Sequence, residues 1–132
     1  MTNGTEFPGL TQIGQIAINV QDIERATAFY RDTLKMRFLF AFPGLAFFDC
    51  GGVRLMLSRA EDPRLDHKAS ILYYRVADIE AVHAALVERG VRFESGPHLV
   101  ARMPDHELWL ADFWDSEDNL LALMTEKRGE LR

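Results

Sequence analysis

The sequence predicts an α+β fold in which two βαβββ units close around a cup of small-molecule size. Three observations predict it. Several short runs alternate apolar and polar residues as half-buried strands do, and two longer segments carry apolar residues at helical spacing. The order strand, helix, three strands then occurs twice along the chain. In letters, Val20-Gln21-Asp22-Ile23-Glu24 recurs as Val76-Ala77-Asp78-Ile79-Glu80, and Met36-Arg37-Phe38 as Val91-Arg92-Phe93. One unit alone leaves a sheet face uncovered, so pairing two is the economical way to bury it.

Each element follows from its residues. In residues 13–20 Ile16, Ile18 and Val20 share one face, and Gln15, Ala17 and Asn19 the other. Asp22 is a helix N-cap, and Ile23, Ala26, Phe29, Tyr30 and Leu34 form the apolar stripe of a helix reaching Lys35. Strands follow over 36–42, 45–50 and 53–58, separated by Pro43-Gly44 and Gly51-Gly52. The charged run 59–68 is the linker, and 1–12 a loose leader, so the first repeat covers 13–58. The second repeat covers 70–125. It has a strand over 70–76, a helix from Asp78 to the glycine stop at Gly90, and strand-like runs near 91–93, 97–102, 107–114 and 120–125. The run Asp115–Asn119 is dense in turn residues.

Composition narrows the function. A chain of 132 residues fits one domain, and 48% hydrophobic with 27% charged residues is ordinary globular usage. A net charge of −5 without a basic cluster argues against nucleic acid. No apolar run approaches the roughly 20 residues that span a bilayer. Cys50 is the single cysteine, so no disulfide forms within the chain, and the expected location is the reducing cytoplasm.

The segments IGQIAINVQDIERATAFYRDTL and LWLADFWDSEDNLLALM resemble the vicinal oxygen chelate superfamily, which includes glyoxalase I, extradiol dioxygenases and bleomycin resistance proteins. The resemblance covers about 13–125 and implies the cupped fold and a homodimer. Members that use a metal hold it on the inner faces of the first and last strand of each half. Those positions fall at Gln15, Met56 (Leu55 in the neighbouring register), Ile71 and Ala122. Thioether, alkyl and methyl groups offer no hard donor to a divalent ion, so the expectation is no metal and no cofactor.

Inner-face parity gives a ligand-binding list of Gln15, Asn19, Arg54, Met56, Ile71, Tyr73, Arg75 and Ala122, with Trp109 as an aromatic wall. Trp114, Phe47, Phe48 and Phe113 are further candidate walls, core packing being their alternative role. The densest ionisable stretch holds His98, Arg102, His106 and Glu107, candidates for acid–base catalysis in place of a metal. His106 and Glu107 are adjacent, so a regular strand points them to opposite faces. Cys50 reads as an inert thiol, His67 as a linker residue and His83 as a helix-surface residue. Three functions stand open: a metal-independent small-molecule binder, a lyase or isomerase using this cluster, and a non-catalytic interaction module.

Overall fold

The computed structural model describes residue 9, residues 11–61, residue 68 and residues 70–128. Most of the expected leader and linker, with His67, lies outside the described residues. The first unit runs β1 (Gln15–Asn19), α1 (Ile23–Ala28) continued by a π-helical turn (Phe29–Thr33), β2 (Arg37–Phe42), β3 (Leu45–Cys50) and β4 (Val53–Ser58). The second runs β5 (Leu72–Arg75), α2 (Ile79–Glu88), β6 (Arg92–Phe93), β7 (His98–Arg102), β8 (Glu107–Trp114) and β9 (Leu120–Lys127).

The two units share one connectivity. In the first the strand order is β1-β4-β3-β2, and in the second β5-β9-β8-β6, with β7 also on β8. The first strand of each unit lies parallel to the last, β1 on β4 and β5 on β9, while the hairpins are antiparallel. Strands β6 and β7 share the edge of β8 and are separated by Glu94-Ser95-Gly96-Pro97, where proline removes a ladder donor. A register shift falls at Phe38/Phe40 in β2 and at Leu99/Ala101 in β7, so each unit carries its irregularity on the same hairpin.

Repeat logic also sets the helix starts. The Asp22 carboxylate accepts the Arg25 N–H at 3.0 Å, and that of Asp78 accepts the Ala81 N–H at 3.1 Å, the same cap in both copies. The helix expected to run evenly to Lys35 instead widens after Ala28. The Leu34 N–H donates to the Phe29 carbonyl and the Met36 N–H to the Tyr30 carbonyl, both at 2.9 Å. The wide turn leaves Tyr30 fully buried, with its hydroxyl donating to Asp115 at 2.7 Å. α2 ends regularly, with Gly90 left-handed at φ 86° and the Val91 N–H returning to the Leu86 carbonyl.

One apolar core joins the units, with Ile18, Tyr30, Phe48 and Leu57 from the first meeting Ile79, Phe113 and Leu121 from the second. A buried polar knot ties them as well. Asn119 Nδ2 donates to the Asn19 carbonyl at 3.2 Å and to Asp115 at 2.9 Å. The Glu117 carboxylate accepts the backbone N–H groups of Gln21 and Asp22 and the Arg25 guanidinium at 2.7 Å. The turn read from sequence as a simple hairpin corner is therefore a bolt driven into the start of α1.

Candidate functional site

The helices cover one face of each sheet, and the opposite faces form the cup. Strand pairing places the first wall in three rows across four strands. The first row is Arg37, Asp49, Arg54 and Gln15; the second is Phe40, Phe47, Met56 and Ala17; the third is Phe42, Leu45, Ser58 and Asn19. The register puts Met56 in the cup and turns Leu55 into the core.

Aromatic rings dominate the β2–β3 side of this wall. Ring centroids of Phe40 and Phe47 are 4.8 Å apart, of Phe40 and Phe42 5.6 Å, and of Phe42 and Phe47 6.3 Å. Phe40 and Phe42 remain 41% and 58% exposed, an apolar shelf with one side open. The Arg54 guanidinium sits 5.8 Å from the Phe47 centroid, and its Nε donates to Gln15 Oε1 at 3.1 Å. Gln15 Nε2 in turn lies 3.8 Å from the Met56 sulfur. The shelf thus ends in a fixed guanidinium, amide and thioether.

The second wall has the rows Tyr73, Ala122 and Asp112, and Arg75, Met124, Leu110 and His98. Ala122 is fully buried beneath its neighbours, and Ile71, exposed, precedes β5 by one residue. The four positions that the resemblance assigns to metal ligands therefore present one amide, one thioether, one alkyl chain and one methyl. Gln15 already spends its carbonyl oxygen on Arg54. Such a donor set does not fit a divalent cation. Among the described residues no three of His, Cys, Asp and Glu gather elsewhere as a metal site.

Trp109 faces away from the cup. It pairs with Thr125 on the helix side, packs on the core, donates from its indole N–H to Glu107 at 3.0 Å and lies 4.0 Å beneath the Lys127 ammonium. Phe48 and Phe113 are core residues. Trp114 lies on the cup side of β8 and donates to Glu94 at 2.9 Å. His83, expected on the helix surface, is half-buried with its ring 4.4 Å from Phe93, because α2 packs on β8 and β9 and brings this face of the helix beside β6.

The ionisable stretch divides between the two faces. Arg102 and Glu107 pair on the helix side, 3.4 Å apart. His98 stands at the far end of β7 with Nδ1 2.9 Å from the Gly96 carbonyl. His106 turns to the cup side, Nδ1 2.7 Å from Asp105 and Nε2 3.8 Å from Glu126. A tight turn joins β7 to β8, the Met103 N–H donating to the His106 carbonyl at 2.8 Å. Arg128 and His106 hold the Asp105 carboxyl below its usual range. His98, Arg102, His106 and Glu107 are thus not one cluster. Asp105, Glu126 and Asp112 on the second wall join Asp49 on the first as carboxylates beside the cup, and none of them was among the site residues named from the sequence.

A family model matches residues 12–121, that of the glyoxalase/bleomycin resistance protein/dioxygenase superfamily. The chain belongs to this superfamily. Solved structures carry the same fold. A glyoxalase/bleomycin resistance protein/dioxygenase from Nocardioides superposes with a TM-score of 0.73 at 20% identity, over 95% of this chain and 89% of that one. TnmS3, an antibiotic binding protein from a Streptomyces species, gives 0.72 at 25% identity, over 92% and 100%. Lactoylglutathione lyase from Agrobacterium tumefaciens gives 0.68 at 21% identity, over 90% and 96%. No curated protein matches the sequence significantly. Superfamily membership fixes the scaffold and the place of the cup; the chemistry inside depends on the side chains of this chain. No helix among the described residues is long and apolar enough to cross a membrane.

Proposed function

We infer that this superfamily member binds a small, planar organic molecule in its cup without a metal ion, as a homodimer. The carrying observation is the exposed shelf of Phe40, Phe42 and Phe47 beside the Arg54–Gln15 pair. Flat rings stack on such a shelf, and a guanidinium already held against an aromatic face fixes a carbonyl, phenol or carboxylate at the edge of the ligand. Asp112 on the opposite wall supplies an acceptor for an amine or hydroxyl. The likeness to an antibiotic binding protein supports a drug-like guest. Exposed Ile71 and Tyr73 support a second copy closing the open side.

A thermal-shift screen of planar aromatic antibiotics tests the reading, because a ligand of the folded state raises its melting temperature by mass action. The hit should lose about tenfold or more in affinity in Phe47→Ala and in Arg54→Ala. A stoichiometric transition metal in the purified protein, or binding that survives both substitutions, overturns it.

One observation favours a catalytic alternative: His106 held between Asp105 and Glu126 is a polarised imidazole on the cup side. On that reading a screened activity collapses in His106→Ala and survives Glu107→Ala, whose carboxylate lies on the other face. The reverse pattern removes it.

A further inference from the structure

Apart from the cup, the seam between the units holds a cleft of about 170 Å³. Among the described residues no ladder joins β1 to β5, so the two sheet edges meet through side chains alone. Ile16, Val53, Leu55 and Leu72 give the cleft hydrocarbon walls, Cys50 a thiol and Tyr74 a phenol. These residues lie on the helix side of their strands, and the exposed Tyr73 borders the opening.

Two features set this cleft apart from a packing fault. The Tyr74 hydroxyl is the only buried side-chain polar atom among the described residues without a hydrogen-bond partner. An unmet hydroxyl in a nearly apolar setting lowers stability, and Phe at this position would avoid that loss. A lone water is a poor substitute, since it needs two to four polar partners and the walls are mostly hydrocarbon. In size the cleft compares with the roughly 150 Å³ apolar cavity that accepts benzene in an engineered protein. Burial, with Cys50 and Asp115 nearby, pushes the Tyr74 phenol well above its ordinary range, so it stays protonated and is a donor at every physiological pH.

We propose that the seam cleft is a second binding site, for a small neutral aromatic molecule whose single carbonyl or ether oxygen accepts from the Tyr74 hydroxyl. The guest is neutral because the walls carry no cation, and small because the cleft admits about one ring with a short substituent. This site does not rest on the cup: all of its residues but Tyr73, at the rim, face the other side of the sheets, and either can fail alone. Cys50, on its wall, is a built-in reporter of occupancy.

Calorimetry and thiol alkylation on the full chain test it, with acetophenone as probe and ethylbenzene as its counterpart without the oxygen. Acetophenone should bind more tightly than ethylbenzene and should slow alkylation of Cys50 by a maleimide. Tyr74→Phe should weaken acetophenone by about three- to tenfold, the worth of one neutral hydrogen bond, and leave ethylbenzene unchanged. No binding of either probe overturns the proposal. So does equal acetophenone affinity in Tyr74→Phe, or binding without protection of Cys50, which would place the probe in the cup instead.

Discussion

Among single residues, Glu117 and Tyr74 show opposite solutions to burying a polar group. The Glu117 side chain is 0% exposed. Burial alone would push its carboxyl up, but the Arg25 guanidinium, the Asp22 and Gln21 N–H groups and the Ser116 hydroxyl outweigh it and bring the value to about 2, from an ordinary 4.5. A depressed carboxyl stabilises the fold fully above its unfolded value and loses that contribution as pH falls through the folded one. Acid should therefore weaken the protein between about pH 4.5 and pH 2, with Glu117 contributing on the order of 2–3 kcal/mol. Glu117→Gln should lower stability at pH 7 by a similar amount and flatten that slope in urea titrations at several pH values. An unchanged slope would assign the acid sensitivity elsewhere. Tyr74 has no such compensation. Tyr74→Phe should raise stability by about 1 kcal/mol, some 3–4 °C in melting temperature. A fall would mean that the hydroxyl has a partner in solution. Neither role was legible in the letters: Glu117 reads as a turn residue, and its partners on α1 and before it, Gln21, Asp22 and Arg25, lie more than ninety positions away.

At the level of elements, the caps were legible because Asp22 and Asp78 act within three residues, and β3, β4 and β8 because alternation is local. The π-helical turn was not, since Phe29 and Tyr30 continue the helical stripe in either geometry; only the Tyr30–Asp115 contact selects the wider one. The bulge at Phe38/Phe40 was equally hidden, and it decides which phenylalanines of β2 join the cup. Parity counted straight through a bulge assigns the wrong face to one side of it. Helix ends give a clean test of the repeat. Gly90 adopts φ 86° with open space around it, whereas Lys35 holds φ 60° with a side chain. Gly90→Ala should cost about 1 kcal/mol through backbone strain alone, and Lys35→Gly should gain about 0.5–1 kcal/mol. Chemical denaturation of both variants reads the two signs, and a stabilised Gly90→Ala would contradict the left-handed stop.

Over the whole molecule, the duplicated order of elements made the architecture readable, because a repeat is a pattern of the full chain and survives local misassignment. The cup was readable only in part. First and last strands of each half gave Gln15, Arg54, Met56, Tyr73 and Ala122, while Phe40, Phe42 and Asp112 lie on strands the sequence places but whose inner faces only the pairing sets. The same pairing predicts how the chain unfolds. The core cluster takes residues from both units, and Tyr30, Asp115, Glu117 and Asn119 bind α1 to the β8–β9 turn, so neither unit keeps a closed core without the other. Each unit carries its own reporter: both tryptophans, Trp109 and Trp114, sit on β8, and the single cysteine, Cys50, sits on β3. In urea, tryptophan fluorescence and Cys50 labelling should give coincident midpoints, and Tyr30→Phe, which removes one strand of the knot, should lower both together. Separate midpoints, or a Tyr30→Phe shift confined to Cys50, would show that the halves fold as independent modules and that the knot is decoration.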